Sequence, residues 1–105
     1  MLAMKDIQTL YKCESVVLTQ HFMYKIERRR ITLTDIDLAI ISGEIIEQYP
    51  DDYPHPSALI LGTNETKEPL HIVVGVGRGT AWLITAYHPD PMKWEDDNRT
   101  RKVEN

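Results

Sequence analysis

The sequence predicts an α+β fold in which two or three N-terminal helices pack on one face of a four-stranded antiparallel sheet. Apolar residues recur at helical spacing in the first part of the chain and alternate in the manner of strands after Gly43. Glycine- and proline-rich segments separate the strand candidates. Helices followed by a meander of strands are typical of the α+β class.

Length and composition predict a single small domain. A chain of 105 residues with 42% hydrophobic and 27% charged residues has the composition of a soluble globular protein. We expect one α+β domain over 1–91 and a polar C-terminal tail over 92–105. Cys13 is the single cysteine, so no internal disulfide can form. The sequence shows no signal peptide and no apolar run of about 18–20 residues, so we expect a cytoplasmic protein without a membrane partner.

The helices are predicted from their start and stop signals. Residues 2–12 form the first amphipathic segment. Thr19 is the predicted N-cap of the second helix. Thr34 is the predicted N-cap of the third, with Asp37 at the N3 position of a capping box. Gly43 is the predicted C′ residue that ends this helix.

Four strands follow the helices. They are predicted over 43–49, 57–61, 70–76 and 81–87, and the segment 77–80 joins the last two as a hairpin. Glycines recur from Gly75 to Gly79, but a phosphate-binding loop leads from a strand into a helix, whereas this segment joins two strands. The His-Pro-Asp-Pro segment 88–91 ends the sheet. The tail is either docked as a last helix or disordered, and Trp94 favours docking.

The register of the last hairpin stays open at this stage. If Val76 pairs with Ala81, His71 faces away from Thr85. If Val76 pairs with Thr80 around a three-residue loop, His71 lies opposite Thr85 on one face. His71 and Thr85 are polar residues inside apolar strands, and a structural or a functional reason can account for each.

A basic face on the second helix is the first candidate binding surface. His21, Lys25, Arg28 and Arg29 lie within about 100° of each other on a helical wheel. Such a face suits an anion such as phosphate, and its alternative is a solvated basic surface. The net charge of −4 argues against nucleic acid, but segment 24–30 carries four cations and one anion. The four histidines lack metal-ligand spacing, so we expect no metal and no cofactor.

The order of these residues resembles that of a known family, domain-of-unknown-function family 4258. The resemblance covers about residues 15–90 and rests on four segments: Thr19-x-His21-x3-Lys25-x3-Arg29-x-Ile31, Gly43-Glu44-Ile45-Ile46, Pro69-Leu70-His71-Ile72-Val73-Val74 and Ile84-Thr85-Ala86-Tyr87. That family is similar to the RelE/ParE and MqsR-like toxins of type II toxin–antitoxin systems. The resemblance therefore implies a RelE-like fold with a curved antiparallel sheet.

The resemblance also implies a function, a metal-independent endoribonuclease that acts on RNA. Its cognate antitoxin would be a small zinc-finger protein. In such an enzyme His21 suits the base and His71 or Tyr87 the acid. The other residues that the resemblance assigns to the catalytic site are Lys25, Arg29 and Thr85. The residues expected to contact RNA phosphates are Lys25, Arg28, Arg29, Arg99 and Arg101. The alternative is a non-catalytic protein-binding module or a decayed toxin homologue, which the acidic net charge favours.

Overall fold

The computed structural model describes residues 1–103 and confirms the α+β class. Three helices and five strands occur in this part of the chain. They are α1 (Met4–Lys12), β1 (Val16–Leu18), α2 (Gln20–Arg28), α3 (Leu33–Ser42), β2 (Glu44–Tyr49), β3 (Ser57–Thr63), β4 (Pro69–Gly77) and β5 (Thr80–Tyr87). No helix in residues 1–103 combines the length and apolar character needed to cross a bilayer.

The sheet has one strand more than predicted. Strands β2 to β5 pair antiparallel in sequence order, as expected, but β1 adds to β5 in parallel, so the strand order is β1-β5-β4-β3-β2. The prediction of a purely antiparallel, four-stranded sheet is therefore corrected to a five-stranded mixed sheet. Three residues are too few to show an alternating pattern, and the partner strand lies at the far end of the chain.

A bulge in the last hairpin settles the open register. Val76 pairs with Ala81 around a two-residue turn, Arg78-Gly79, whose φ angles are 56° and 68°. Positive φ at both positions is the geometry of a type I′ hairpin. The register then shifts beyond Val74, so that His71 lies opposite Tyr87.

This shift changes which side chains share a face. Thr85 lies opposite Val73, and Val73 is two residues from His71 on β4. Side chains two apart in a strand point to the same face, so His71, Thr85 and Tyr87 lie together on the face away from the helices. The two registers predicted from the sequence both lack this bulge. The bulge adds one residue to a strand, and no glycine or other sequence signal marks its position.

The helices cover one face of the sheet and form the core there. Buried apolar residues from the three helices, the α2–α3 connection and strands β3 to β5 make one cluster: Ile7, Phe22, Ile26, Ile31, Ile36, Ala39, Ile40, Ile60, Leu70, Ile72, Val74, Ala81, Leu83 and Ala86. Because Phe22 and Ile26 are buried in this cluster, the remaining sides of α2 face outwards.

The helix caps follow the sequence with one correction. The Thr19 Oγ1 accepts a hydrogen bond from the Phe22 amide at 3.0 Å, which confirms the predicted cap of α2. Helix α3 is capped by Thr32, and Asp35 completes the capping box with bonds of 3.0 Å in both directions. The predicted cap at Thr34 is wrong, because the chain repeats the Thr-x-x-Asp spacing two residues apart.

Gly43 ends α3 as predicted, but for a different reason. Its φ of −81° is open to any residue. A Cβ at Gly43 would lie 2.5 Å from the Ala39 carbonyl oxygen and 2.6 Å from Ile60 Cγ2. A Cβ at Gly62 would lie 2.1 Å from the same carbonyl oxygen. The two glycines therefore allow α3 to lie close against the sheet.

The tail crosses the other face of the sheet. Trp94 is 3% exposed and lies against His71, while Arg99 and Arg101 form ion pairs with residues of β2. The segment forms turns and an isolated bridge between Trp94 and Arg101, so in residues 92–103 docking occurs without a helix. Residues 104 and 105 of the predicted tail lie outside the described residues.

Candidate functional site

Arg29 contacts one other predicted site residue, Thr85. It caps the C-terminus of α2 and is exposed, and its Nη1 donates to the Thr85 hydroxyl at 3.0 Å and to the Ala86 carbonyl at 2.8 Å. Strand β1 covers β5 only as far as Leu83, so the edge of β5 is open at this level. Arg29 therefore bonds to a strand edge that has no neighbouring strand.

These contacts leave one edge of the Arg29 guanidinium available. A guanidinium has five N–H donors, and Nη1 contributes two of them. Among the described residues, Nε and Nη2 have no hydrogen-bond acceptor. The edge formed by Nε and Nη2 is one that can bind two oxygens of a phosphate side by side. Thr85 and Ala86 thus hold the side chain in place without using this edge.

Tyr87 lines a cavity together with Arg101, and the charge of Arg29 also acts on it. It is half-buried, and burial raises its pKa, while the positive charges of Arg101 and Arg29 lower it and the carboxylate of Glu47 raises it. Because the net effect is a pKa above the ordinary value, the phenol is neutral at pH 7. A neutral phenol beside two cations can donate a hydrogen bond or a proton to an anion.

His71 is buried beneath the tail. Its Nε2 lies 2.7 Å from the Asn98 carbonyl oxygen, and a carbonyl can only accept, so Nε2 carries the hydrogen. The ring meets Trp94 edge-on at 4.6 Å and Tyr87 at 5.4 Å between ring centroids. Burial lowers the pKa of His71, against the effect of the bond to Asn98. In this conformation a neutral His71 supports Tyr87 and has no direct route to a substrate.

Glu47 and Trp94 hold Arg101 in one orientation. Its Nε and Nη2 donate to the two carboxylate oxygens of Glu47 at 2.8 and 2.9 Å, and its guanidinium carbon lies 4.5 Å from the centre of the Trp94 ring. The Tyr49 hydroxyl also donates to Glu47. The bond from Arg101 is the main cause that lowers the pKa of Glu47. Arg101 is therefore a second oriented guanidinium close to Tyr87.

A cavity of about 330 Å³ opens beside Tyr87, between the sheet and the tail. Its lining consists of Tyr87, Asp90, Lys93, Trp94 and Arg101. Sequence reasoning missed Glu47, Asp90 and Lys93. Glu47 gave no signal because β2 also carries the polar residues Glu44 and Gln48, and Asp90 and Lys93 gave none because charged residues are common in the segments that follow a sheet.

The other residues of the predicted basic face do not all join this site. His21 is exposed and adjoins a concave surface lined by Leu18, Gln20, Met23, Tyr24 and Glu27, which includes neither Lys25 nor Arg29. Lys25 is half-buried one turn further along. The eight helical steps from His21 to Arg29 correspond to about 12 Å along the axis of a helix. The predicted face is therefore a row along α2 with Arg29 at its end.

Two more of the predicted phosphate contacts have other partners. Arg28 donates from Nη1 to the Tyr24 hydroxyl at 2.9 Å, and Arg99 forms an ion pair with Glu44. The structure thus brings together Arg29, Thr85, Tyr87, His71 and Arg101 and leaves Arg28 and Arg99 elsewhere. In the described part of the chain, no group of three or more His, Cys, Asp or Glu side chains is placed to hold a metal ion.

The comparison with known proteins points to one family. A family model described as Domain of unknown function (DUF4258) matches residues 18–88, which is more than half of the chain. The matched segment includes α2 and the whole of β4 and β5. It therefore contains His21, Arg29, His71 and Tyr87. Searches of the curated proteins and of the solved structures gave no match. The matched segment ends before the tail that carries Trp94 and Arg101. This chain belongs to the DUF4258 family.

Proposed function

We propose that this protein is a metal-independent endoribonuclease, a cytoplasmic toxin related in fold and activity to the RelE/ParE and MqsR-like toxins of type II toxin–antitoxin systems. The observation that carries the proposal is the position of Arg29, which Thr85 and Ala86 hold so that the Nε–Nη2 edge of its guanidinium stays open. Oriented guanidinium groups are the side chains best suited to bind an RNA phosphate.

Arg29 gives the proposed site its catalytic character. Cleavage of RNA passes through a phosphorane that carries more negative charge on its oxygens than the starting phosphodiester. Cations fixed in advance stabilise that state without having to reorganise during the reaction. Arg29 is fixed by Thr85 and Ala86 and has no carboxylate partner among the described residues, whereas Glu47 compensates the charge of Arg101, so Arg29 is the cation that would act on a phosphate at this point.

The proposed reaction is an internal transfer within RNA. The ribose 2′-oxygen attacks the adjacent phosphorus while the bond from phosphorus to the 5′-oxygen breaks. A base takes the proton of the 2′-hydroxyl, and Tyr87 supplies a proton to the leaving 5′-oxygen. The products are a 2′,3′-cyclic phosphate and a 5′-hydroxyl. His21, which the family resemblance suggests as the base, lies about 12 Å along the axis of α2 from Arg29, so the base in this step is a solvent water molecule and not His21.

The test is cleavage of mixed RNA by the purified protein in the presence of a chelator. We expect products that end in a 2′,3′-cyclic phosphate, together with a large loss of rate in Tyr87→Phe and Arg29→Lys. Arg78→Gln is the matched control, because Arg78 is an exposed cation in the β4–β5 turn at the other end of the hairpin. Absence of cleavage, or cleavage that persists in both site variants, would refute the proposal.

One observation favours a second candidate, a non-catalytic protein-binding module. On α3, Leu33, Leu38 and Ile41 are 46%, 36% and 70% exposed, although their neighbours on the helix fill the core. Exposed apolar side chains that cluster on one surface often mark an interaction site. The fitting partner is an antitoxin, a small zinc-finger protein. Copurification with the product of a neighbouring gene, lost in Ile41→Lys, would support this function.

A further inference from the structure

The cavity between Tyr87 and the tail has charges that cancel. Lys93 and Arg101 are positive and Asp90 is negative, and all three line the cavity. The charge of Arg101 is already compensated, because both oxygens of Glu47 bind its guanidinium. The net charge of these three lining residues together with Glu47 is therefore zero. Such a cavity favours a neutral ligand that has hydrogen-bond donors and acceptors over an anion.

One wall of the cavity is a flat cationic surface. The guanidinium of Arg101 lies over the Trp94 ring, which is 3% exposed and covers one side of the group. The side chain of Arg101 is still 57% exposed, so its other face is accessible. Arginine planes and aromatic rings are surfaces on which unpaired RNA bases stack. A planar ring could thus continue the stack of Trp94 and Arg101.

The rim of the cavity offers both kinds of hydrogen-bonding group. The Oδ1 of Asp90 accepts from the Met92 amide at 2.9 Å, whereas its Oδ2 has no donor among the described residues. The ammonium group of Lys93 and the phenol of Tyr87 add donors. A carboxylate accepts from the exocyclic amino group of a base, and a lysine donates to its ring nitrogen or carbonyl.

We propose that this cavity is a nucleobase pocket that prefers bases with an exocyclic amino group, namely adenine, cytosine and guanine, over uracil. The base stacks on Arg101, its amino group donates to Asp90, and an acceptor of the ring receives a hydrogen bond from Lys93. The cavity volume of about 330 Å³ lies at the small end of the range for ligand sites and suits one nucleoside. This inference rests on the proposed function, for which it supplies base selectivity next to the scissile phosphate.

The test uses free nucleosides, which carry no phosphate and therefore probe the cavity alone. Adenosine, cytidine, guanosine and uridine are titrated into the full chain, and binding is followed through amide and indole NMR signals. We expect the first three to bind about tenfold more tightly than uridine, the effect of one good base contact. The indole signal of Trp94 should shift in each of these titrations.

Three variants test the contacts of Asp90, Lys93 and Arg101 with the base separately, and a fourth variant is the control. Asp90→Asn keeps an oxygen for the Met92 amide but loses the carboxylate, so the preference over uridine should fall to about twofold or less. Lys93→Gln should weaken all four nucleosides to a similar extent. Arg101→Lys keeps the charge but loses the plane, so all binding should fall about tenfold. Lys102→Gln, a neighbouring exposed lysine outside the cavity, should leave binding unchanged.

The outcomes separate this proposal from the proposed function. RNA cleavage without nucleoside binding, or with equal binding of uridine, would overturn the pocket and leave the ribonuclease standing. Selective nucleoside binding that Asp90→Asn abolishes would support the pocket even if RNA cleavage were absent. If Arg101→Lys unfolds the tail, as judged by the indole signal of Trp94, the Asp90 and Lys93 variants decide the question.

Discussion

The Nε2 of His71 lies 2.7 Å from the carbonyl oxygen of Asn98 and so fastens the C-terminal tail to the middle of the sheet. His71 is on a central strand, and Asn98 follows it by 27 residues. The Nδ1 of His71 is buried and has no partner among the described residues. A proton added to Nδ1 would therefore place an uncompensated N–H and a positive charge under the tail.

Acidification should therefore destabilise the protein through His71. Burial holds its folded-state pKa below the unfolded value of about 6.5, so its contribution to stability is present above that pH and is lost as the pH falls through the lowered pKa. The free energy of unfolding should decrease more between pH 7 and pH 5 in the wild type than in His71→Gln. Equal pH profiles for the two proteins would contradict the buried neutral state.

Removal of the Thr85 hydroxyl should loosen Arg29 without unfolding the sheet. Thr85→Val keeps the shape of the side chain, and the lost hydrogen bond should cost about 1 kcal/mol or less, because Arg29 and Thr85 are partly exposed. We expect RNA cleavage to fall about tenfold, as for a catalytic group moved out of position. The double variant with Arg29→Lys should be no slower than Arg29→Lys alone. Additive losses would show that the two residues act independently.

Salt dependence measures the phosphate contact directly. If Arg29 binds one phosphate, Arg29→Ala should reduce the log–log slope of affinity against salt by about 0.7 on single-stranded RNA. Arg78→Gln should leave the slope unchanged, because Arg78 lies in the turn of the hairpin. Binding of the same RNA is measured from low to moderate salt for the three proteins. An unchanged slope in Arg29→Ala would remove Arg29 from the phosphate site.

Trp94 should contribute most of the stability of the tail. Because its side chain is 3% exposed, Trp94→Ala should cost about 3–5 kcal/mol in the free energy of unfolding, as other buried aromatic truncations do. Met92→Ala is the control, since Met92 is 80% exposed two residues away. Chemical denaturation compares the two variants. A loss below about 1 kcal/mol for Trp94→Ala would mean that the tail packs only loosely.

An added side chain should cost much more stability at Gly43 than at Gly79. Gly43→Ala pushes a Cβ against Ala39 and Ile60 and should cost about 1–3 kcal/mol. Gly79→Asn is expected to cost much less, because no atom lies within 4 Å of a Cβ there and asparagine tolerates the φ of 68°. Thermal unfolding of both variants checks the contrast, and similar losses at the two sites would contradict it.

The parts of the fold that sequence reasoning predicted are those with a repeating pattern. Along strands β2 to β5, apolar residues alternate with polar ones or form short runs between turn residues, so these strands could be predicted. Thr19 could be predicted as a helix cap because its hydroxyl can accept a backbone hydrogen bond. Strand β1 has three residues, and its hydrogen bonds depend on a strand from the far end of the chain. Such pairing leaves no local signal in the sequence.

The candidate site could be predicted in part for the same reason. Arg29, Thr85 and Tyr87 stand out in the family resemblance or as polar residues in apolar strands, and they meet in the structure. Their neighbours Asp90 and Lys93 enter through the path of the tail, which depends on where Trp94 finds a buried surface. Residues placed by such long-range docking look like ordinary surface charges in a sequence.

The parallel pairing of β1 with β5 also affects the order in which the chain can fold during synthesis. Val16 leaves the ribosome early, but its partner Ala81 emerges only after the helices and three further strands. Contacts between such distant segments form late, because the cost of closing a long loop comes first. Strand β1 is thus the first strand to be synthesised and the last to find its hydrogen-bonding partner. A nascent chain halted before β5 would expose the unpaired residues Val16–Leu18.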